Sequence, residues 1–542
     1  MITGSLKNKI DAIWQDFYNE NMAQVFDIVN QLTTLMFIKM LDDKQSATEA
    51  QASVLGIKPR QEELVFKDGE YENYEVINGV KQLKFRIPYA DLRWKNFKNL
   101  NSLDLARRIK EYVVPFIKDP DNKAIGKFGL YAKKYSFGFD DKERLLQSVV
   151  DKLSDDELNF TKTDLMGDVY EYMCGSGISG QYRTPRHIID MAVEMMKPKL
   201  GEKIIDPAMG TAGFIIESAK YIQTHQKTEM MNVHNQNVFN NDMFFGCDND
   251  PNMARIGYMN SVLHGIKNPN FSMDSLLENE NAKNYIGKFD LVLANPPFSG
   301  SLVESATNGK ILAITKTKKT ELLFVALMDM LLKPGGRCMT IVPDGVLTNG
   351  ANAFKTLRSE LVDKQRLIGV VSMPMGIFQA SSKKGSASKG AGVKTSFLIF
   401  EKTGNGGTQD VWFYNMTNDG YSLDVKRTPV EGSNIPDIIE RFNNLHLEKS
   451  RSRTDQSFLV PVDEIRKNDY DLSFNKYKQI EKVQVNYRPT SEILADIKKS
   501  YEEAETLLAD LEKMLKEWRL YEVNGLIWIY AEVKIQCFIW FW

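Results

Sequence analysis

A short polar motif follows an apolar run at residues 290–294 and carries groups suited to binding a flat amino group. It consists of Asn295, Pro296, Pro297 and Phe298. The two prolines fix their own φ angles, so the turn should be stiff. The Asn295 side-chain oxygen and the Pro296 carbonyl could then accept two hydrogen bonds from one planar NH2 group, while Phe298 offers a ring for stacking. We predict that these four residues form the reacting half of a site. The alternative is an ordinary Asn-Pro turn after a strand.

A second motif, at residues 204–214, runs from a predicted strand through a turn of small residues into a helix. Asp206 ends the strand, and its carboxylate would suit an ammonium group. The Gly-x-Gly-x-x-Gly spacing of dinucleotide sites is absent, so we do not expect a site for pyrophosphate. Small side chains let a ligand approach the backbone closely, and we therefore assign the turn to ligand binding: Gly210, Thr211, Ala212 and Gly213.

Two further carboxylates are expected at the ends of neighbouring strands. Asp248 follows an apolar run and would suit ribose hydroxyls, although it lies farther from Asp206 than the usual interval of ~20 residues. Asp274 follows the next run and could accept a hydrogen bond from an adenine amino group. Each carboxylate alone could cap a strand or lie in a solvated turn. Three at successive strand ends favour one ligand site.

A polar stretch upstream precedes a helix predicted from the apolar spacing at residues 188–195. Thr184 followed by Pro185 is typical of a helix start, with Thr184 as the N-cap. The functional alternative is that Thr184 and the helix N-terminus receive a ligand carboxylate. We assign the whole stretch to the ligand site: Gln181, Tyr182, Arg183, Thr184, Pro185 and Arg186.

An alternating pattern of strands and helices must position these motifs. Helical stretches separate most of the strand candidates, which predicts a mostly parallel, doubly wound α/β sheet that binds ligands at the carboxyl ends of its strands. The candidates are residues 203–206, 244–248, 271–274, 289–294, 337–343, 367–373 and 396–401.

The rest of the chain suggests further domains. Apolar residues recur at helical spacing over residues 25–40 and predict one amphipathic stripe, and Asn78-Gly79 predicts a hairpin. We divide the chain into a mainly helical N-terminal domain at 1–165, a catalytic domain at 166–402, a mixed C-terminal extension at 403–487, a long helix at 488–518 and an apolar tail of unassigned role at 519–542.

The long helix carries an apolar seam that steps by three and four residues, as in a coiled coil. The seam could pack on its own domain or dock on a partner helix. Its members are Leu494, Ile497, Tyr501, Ala504, Leu508, Leu511, Leu515 and Trp518.

Composition limits the partners that this chain can bind. Its 542 residues have a formal net charge of −2, which excludes a globally basic coat for nucleic acid. Lysine-rich segments at 299–320 and 379–394 offer local contacts to phosphates. The four cysteines show no metal-ligand spacing and fit a reducing compartment. We therefore expect no metal site, and the N-terminus shows no secretory signal.

Together these motifs resemble the modification (M) subunit of type I restriction-modification systems, an adenine-N6 DNA methyltransferase. The pair formed by residues 206–214 and 295–298 resembles S-adenosylmethionine-dependent amino methyltransferases in general. The other matching segments make the likeness specific, and it covers roughly residues 5–518. These segments are 37–43, 164–172, 181–186, 343–347 and 393–396.

The resemblance implies a Rossmann-like methyltransferase sheet with S-adenosyl-L-methionine as cofactor and double-stranded DNA as substrate. It also implies that a separate specificity (S) subunit reads the sequence, that two M subunits bind each S subunit, and that a restriction (R) subunit completes the complex. We expect a cytoplasmic protein without a membrane segment. Two alternatives are methylation of a protein glutamine amide and a non-catalytic, DNA-binding assembly subunit.

Overall fold

The computed structural model describes residues 4–22, 24–61, 64–122, 125–132, 135–155, 184–278, 280–378, 392–424, 427–480 and 489–519. The chain divides into two units, Met1–Gln479 and Ile480–Trp542. The first unit contains a helical region and a large sheet, and the second contains one described helix. Within these residues no helix has both the length and the apolar character needed to cross a membrane.

The helical region confirms the predicted hairpin. Asn78 and Gly79 both have positive φ angles, as the tight turn between two antiparallel strands requires. The elements of this region are α1 (Gly4–Asn19), α2 (Val25–Val54), β1 (Glu70–Ile77), β2 (Val80–Pro88), α3 (Trp94–Phe97), α4 (Ser102–Arg108), α5 (Val114–Lys118), α6 (Phe128–Tyr131) and α7 (Glu143–Leu153).

The following region alternates strands with helices. Its strands are β3 (Ile204–Asp206), β4 (Phe244–Cys247), β5 (Asn270–Ser272), β6 (Phe289–Ala294), β7 (Leu332–Pro343), β8 (Arg366–Ser372), β9 (Thr395–Glu401), β10 (Asp410–Asn415) and β11 (Ser457–Pro461). Its helices are α8 (Arg186–Met196), α9 (Gly213–His225), α10 (Val233–Asn241), α11 (Pro251–Leu263), α12 (Gly309–Ile314), α13 (Thr320–Leu331), α14 (Asp344–Thr348), α15 (Asn352–Ser359), α16 (Ile435–Asn443), α17 (Val462–Lys467) and α18 (Phe474–Tyr477).

These strands form one sheet in the order β11-β10-β8-β9-β7-β6-β3-β4-β5. Neighbours pair in parallel except where β9 lies between β7 and β8 and where β11 borders β10. Side chains of β6 alternate between two cores: Leu291 and Leu293 face α8, α9 and α16, whereas Val292 and Ala294 face α13. The predicted α/β sheet with helices on both faces is confirmed.

The sheet extends beyond residue 402, where we expected the catalytic domain to end. Strands β10 and β11 lie in the segment 403–487, which we expected to be a separate extension, and β10 pairs with β8. The physical reason is burial, because Trp412, Phe413 and Tyr414 are fully enclosed. The edge of the sheet thus depends on this segment.

Helix α2 differs from the prediction of one amphipathic stripe, since residues 31–42 are buried on every side. The reason is that α11, from the sheet region, packs against α2. The Lys44 ammonium donates to the carbonyl oxygens of Val262 and Leu263 at 3.1 and 3.2 Å. The helical region therefore shares a core with α11, which contributes Met253, Ile256, Tyr258 and Met259.

Candidate active site

Four of the predicted site residues lie at one edge of the sheet. Asp206 ends β3, Asp248 follows β4, and Asn295 follows β6, while Asp274 comes two residues after β5. These strands are parallel neighbours in the order β6-β3-β4-β5. Their carboxyl ends therefore open on the same side of the sheet, which is where doubly wound folds bind ligands.

The turn between β3 and α9 is held from behind by α11. Gly210 and Ala212 both have positive φ angles, and Ala212 is the N-cap residue of α9. The Asn260 side chain donates from Nδ2 to the Thr211 carbonyl at 3.0 Å. A Cβ atom on Gly257 would lie 3.0 Å from the Gly210 carbonyl oxygen. Close packing and one buried hydrogen bond thus fix the path of this turn without a ligand.

Two carboxylates line the same turn, the buried Asp206 and the half-buried Asp248. Asp206 accepts from the Ala208 amide at 2.9 Å, and Asp248 accepts from the amides of Gly210 and Asp250 at 3.1 and 2.9 Å. Burial raises the pKa of Asp206 to about 8, with a smaller contribution from the nearby Asp248 charge. Burial likewise raises the pKa of Asp248 to about 6.

The chemistry of these carboxylates suits a cationic ligand. Neither Asp206 nor Asp248 forms an ion pair with any described residue, so a negative charge on either carboxylate would be offset only by backbone amides. A positive group placed beside them would favour ionisation and would gain from the low dielectric of the site. These two hydrogen-bond acceptors therefore fit a ligand that carries both a positive charge and hydroxyl groups.

Asp274 lies at the same edge but is exposed. Its carboxylate accepts from the Ser272 hydroxyl at 3.0 Å, and its amide donates to the same hydroxyl oxygen at 3.1 Å. This local turn leaves the remaining lone pairs of the carboxylate open to solvent. The structure thus places Asp274 at the rim of the edge, whereas Asp206 is buried and Asp248 is half-buried.

Two hydrogen bonds anchor the start of the Asn-Pro-Pro-Phe motif. Asn295 donates from Nδ2 to the Thr184 hydroxyl oxygen at 2.9 Å. The preceding carbonyl, of Ala294, accepts from the hydroxyl of Thr340 on β7 at 3.2 Å. Pro296 is buried. The sequence did not predict the role of Thr340, because a single threonine within an apolar strand is not a recognisable motif.

Phe298 and Pro297 are half-buried. The Phe298 ring lies edge-to-face with the buried Phe378, with ring centroids 5.3 Å apart and an interplanar angle of 88°. Such an arrangement is favourable beyond simple area burial. Phe378 thereby supports the ring that we expected to stack on a base.

Helix α8 begins at Arg186 with Pro185 as its N-cap residue, so the prediction of Thr184 as the N-cap is wrong. The Thr184 hydroxyl is instead engaged with Asn295. Arg186 approaches Glu217 of α9 at 4.0 Å. The remaining predicted members of this stretch, Gln181, Tyr182 and Arg183, lie outside the described residues.

A buried charged cluster, which the sequence did not indicate, fastens the first turn of α8. Asp419 Oδ2 lies 2.8 Å from His187 Nε2 and also pairs with Arg427. The Tyr421 ring packs on His187 with centroids 4.5 Å apart. Burial alone would raise the pKa of Asp419, but hydrogen bonds from His187 and Arg427 outweigh it and lower that pKa. His187 and Asp419 are 232 residues apart, so no local pattern could reveal the pair.

The lysine-rich segment 299–320 is folded and includes α12. Lys316 approaches Glu304 at 3.6 Å, and Lys319 lies over the Phe354 ring. Most of the second segment, residues 379–391, lies outside the described residues; Lys394 pairs with Asp344 at 3.0 Å. The exposed lysines of the first segment are Lys310, Lys316, Lys318 and Lys319.

The second unit contains helix α19 (Thr490–Arg519). Its predicted seam is exposed at each described position, with 53% exposure at Leu511 and 59% at Leu508. The side chain of Trp518 and the tail at 520–542 lie outside the described residues. An exposed apolar stripe on one face of a helix is a typical contact surface for another helix.

Two known protein families together match most of the chain. The family described as N-6 DNA Methylase matches residues 161–485, and the family described as HsdM N-terminal domain matches residues 6–153. The type I restriction enzyme EcoEI methylase subunit of Escherichia coli is 26% identical over 490 residues, covering 88% of this chain and 91% of the relative. The EcoKI methylase subunit of strain K12 is 31% identical over 284 residues, covering 49% and 51%.

A solved structure has the same fold. The type I restriction-modification system methyltransferase subunit from Streptococcus thermophilus superposes with a TM-score of 0.62 at 17% sequence identity. The alignment covers 87% of this chain and 99% of that subunit. At this identity the likeness concerns the fold, including the arrangement of helical region and sheet.

Proposed function

The chain belongs to the N-6 DNA methylase family, and we propose from that premise that it is the catalytic M subunit of a type I restriction-modification complex. It transfers a methyl group from S-adenosyl-L-methionine to N6 of adenine in double-stranded DNA. The observation that supports this most directly is the position of Asn295 at the same sheet edge as the buried Asp206 and the half-buried Asp248. Neither the glutamine-amide alternative nor the non-catalytic one gains support from the family match.

The proposed cofactor suits the chemistry of the turn after β3. S-adenosyl-L-methionine supplies a reactive methyl group on a positively charged sulfur and also carries an ammonium group and ribose hydroxyls. Asp206 would bind the ammonium group, and Asp248 would accept from the hydroxyls while it holds the Gly210 amide. Asp274, exposed at the rim, would accept from the adenine amino group of the cofactor. Small residues at 210–213 leave room for the ligand.

The Asn-Pro-Pro-Phe motif would prepare the amino group for attack. Adenine N6 is a weak nucleophile because its lone pair is delocalised into the ring. Hydrogen bonds from the amino group to Asn295 Oδ1 and to the Pro296 carbonyl would favour a pyramidal nitrogen whose lone pair is available. These acceptors act by position and electrostatics, since they are fixed before the reaction begins.

The substrate must be presented as a single extruded base. An adenine paired in duplex DNA is inaccessible, so the enzyme must flip it out of the stack at a cost of a few kcal/mol. Phe298, supported by Phe378, would stack on the flipped base. The exposed lysines of segment 299–320 would contact phosphates and offset part of that cost, and such contacts carry no sequence information.

Sequence recognition would then belong to a partner chain. We propose that the S subunit selects the target and contacts the seam of α19, that two M subunits bind each S subunit, and that the R subunit joins the full complex. The exposed seam supports the first contact. A cytoplasmic location follows from a DNA substrate together with cysteine use that fits a reducing compartment.

The variant Asn295→Ala tests the proposal in the complex of this chain with its S subunit. Methyl transfer should fall by about 10²–10³, since a preorganised polar partner of the reacting group is lost. The dissociation constant for S-adenosyl-L-methionine should change less than about twofold, because Asn295 would face the amine. Tritium transfer to duplex DNA and calorimetry measure the two quantities.

The control is Asn443→Ala, which removes the same side chain at an exposed position on α16 and should leave both quantities unchanged. Mass spectrometry of digested DNA identifies the product. Methylation at a base other than adenine, or an equal loss of cofactor binding and transfer in Asn295→Ala, would contradict the assignment.

A further inference from the structure

The hydroxyl of Thr184 makes a contact that neither capping nor cofactor binding explains. Its oxygen accepts a hydrogen bond from Asn295 Nδ2 at 2.9 Å, and Thr184 is only 7% exposed. The contact joins the residue before Pro185 to the first residue of the Asn-Pro-Pro-Phe motif. A partly buried hydrogen bond between segments this far apart in sequence restrains their relative position.

If the side-chain oxygen of Asn295 is to accept a hydrogen bond from the substrate, the orientation of its amide plane must be fixed. The terminal torsion of Asn is broad, so the side chain alone does not define where its oxygen points. Nδ2 and Oδ1 diverge from the same carbon atom. When the nitrogen is directed to Thr184, the oxygen must be directed elsewhere, and rotation of the amide about its last bond is restricted.

Thr184 itself rests on a rigid support. Helix α8 packs closely on the start of α9, because a Cβ on Gly213 would lie 2.8 Å from Ile189 Cδ1. The buried Asp419 holds His187 in the first turn of α8. Both contacts are made by side chains of this chain, so they restrain the position of the acceptor offered to Asn295.

We propose that Thr184 is a positioning residue for Asn295 and that its hydroxyl contributes little to cofactor affinity. Its hydroxyl fixes the amide so that the oxygen of Asn295 accepts from the substrate amine in a constant orientation. This inference rests on the proposed function. It distinguishes Thr184 from the other residues of segment 181–186, because it assigns this side chain to the reacting half of the site.

The test uses Thr184→Val, which keeps the shape and removes the hydroxyl, and Thr184→Ser, which keeps the hydroxyl. Both are assayed in the complex with the S subunit by single-turnover methyl transfer at saturating S-adenosyl-L-methionine and DNA. The valine variant should react about fivefold to tenfold more slowly, and the serine variant should retain the wild-type rate within about twofold. Cofactor affinity should stay within about twofold in both.

A double-mutant cycle separates positioning from a general structural effect. In the Asn295→Ala background, Thr184→Val should cause no further loss, because the group that it positions is gone. Thermal melting of the purified chains checks that the variants remain folded.

When the wild-type complex methylates adenine, three results would overturn the inference alone. Unchanged transfer in Thr184→Val would mean that the contact has no catalytic consequence. Weaker cofactor binding with an unchanged saturated rate would assign the hydroxyl to the ligand carboxylate instead. A serine variant as slow as the valine variant would indicate packing of the methyl group. A wild-type complex that leaves adenine unmethylated would overturn the proposed function as well, so the two failures are distinguishable.

Discussion

Binding of the proposed cofactor should depend on pH through Asp206. Burial, together with the nearby Asp248 charge, raises the pKa of its carboxyl to about 8, so only about one chain in ten has this group ionised at pH 7. A bound cation favours the ionised carboxylate. Binding should therefore release a proton, and the dissociation constant for S-adenosyl-L-methionine should fall as the pH rises. Between about pH 6 and about pH 7 we expect a fall of about tenfold, or ~1.4 kcal/mol.

Calorimetry of the purified chain across that interval measures the effect. The interval ends below ~8, where an α-amino group such as that of the ligand begins to lose its own proton. Burial raises the pKa of Asp248 to about 6, so its ionisation adds about another twofold over the same range. Titration in two buffers that differ in ionisation enthalpy would count the released proton directly.

Two substitutions identify the group that titrates. In Asp206→Asn the side-chain oxygen can still accept from the Ala208 amide, but the group cannot ionise, so the profile should flatten and binding should weaken. Asp274→Asn removes an exposed carboxylate at the same edge and should keep the wild-type slope. A pH-independent dissociation constant in the wild-type chain, or an undiminished slope in Asp206→Asn, would refute the assignment of this proton to Asp206.

Two further predictions concern stability and assembly. Asp419→Asn should lower the free energy of unfolding at pH 7 by about 3 kcal/mol, because it leaves Arg427 buried without its charge partner; urea titration measures this, and the exposed Asp463→Asn serves as control. Charging the seam with Leu508→Glu and Leu511→Glu should weaken co-elution with the S subunit on size exclusion, whereas Thr506→Glu with Ala509→Glu, off the seam, should not.

The predictions for Asp419 and for the seam each have an outcome that would contradict them. The pKa of Asp419 is lowered in the folded chain, so its stabilisation should be present above the ordinary pKa of 3.8 and be lost as the pH falls below it. Equal stability of wild type and Asp419→Asn at pH 7 would mean that the pair only offsets its desolvation. Unchanged assembly of the seam variant would place the S-subunit contact elsewhere on this chain.

The sequence predicted the strand ends well because each signal is local. An apolar run followed by Asp206, Asp248 or Asn295 indicates where a strand ends. Because the strands are parallel, their carboxyl ends lie at one edge of the sheet. The seven predicted strands all occur, with shifts of one or two residues at their bounds except for β7, which begins at Leu332 and not at residue 337. The Asn-Gly hairpin was predictable for the same reason, since its turn needs two positive φ angles in succession.

Features that depend on distant partners could not be predicted. Residues 410–415 and 457–461 are short apolar runs that form β10 and β11. Tertiary packing decides that β10 pairs with β8 and that β11 pairs with β10. The second buried face of α2 exists because α11 covers it. Thr184 had a sound local explanation as a helix cap, and its real partner, Asn295, is more than a hundred residues away. At Thr184 the tertiary contact with Asn295, and not the local preference for helix capping, determines the partner of the hydroxyl.

The packing of α11 explains how the helical region could influence the proposed cofactor site. One face of α11 holds the turn after β3 through Asn260 and Gly257. Another face lies in the core of the helical region, where Ile256 and Met259 are fully buried. Interiors packed this closely transmit small displacements instead of absorbing them. A shift of α2 would therefore move α11, and with it the backbone amide of Gly210 that Asp248 binds. The helical region and the turn are thus coupled through the packing of one shared helix, α11.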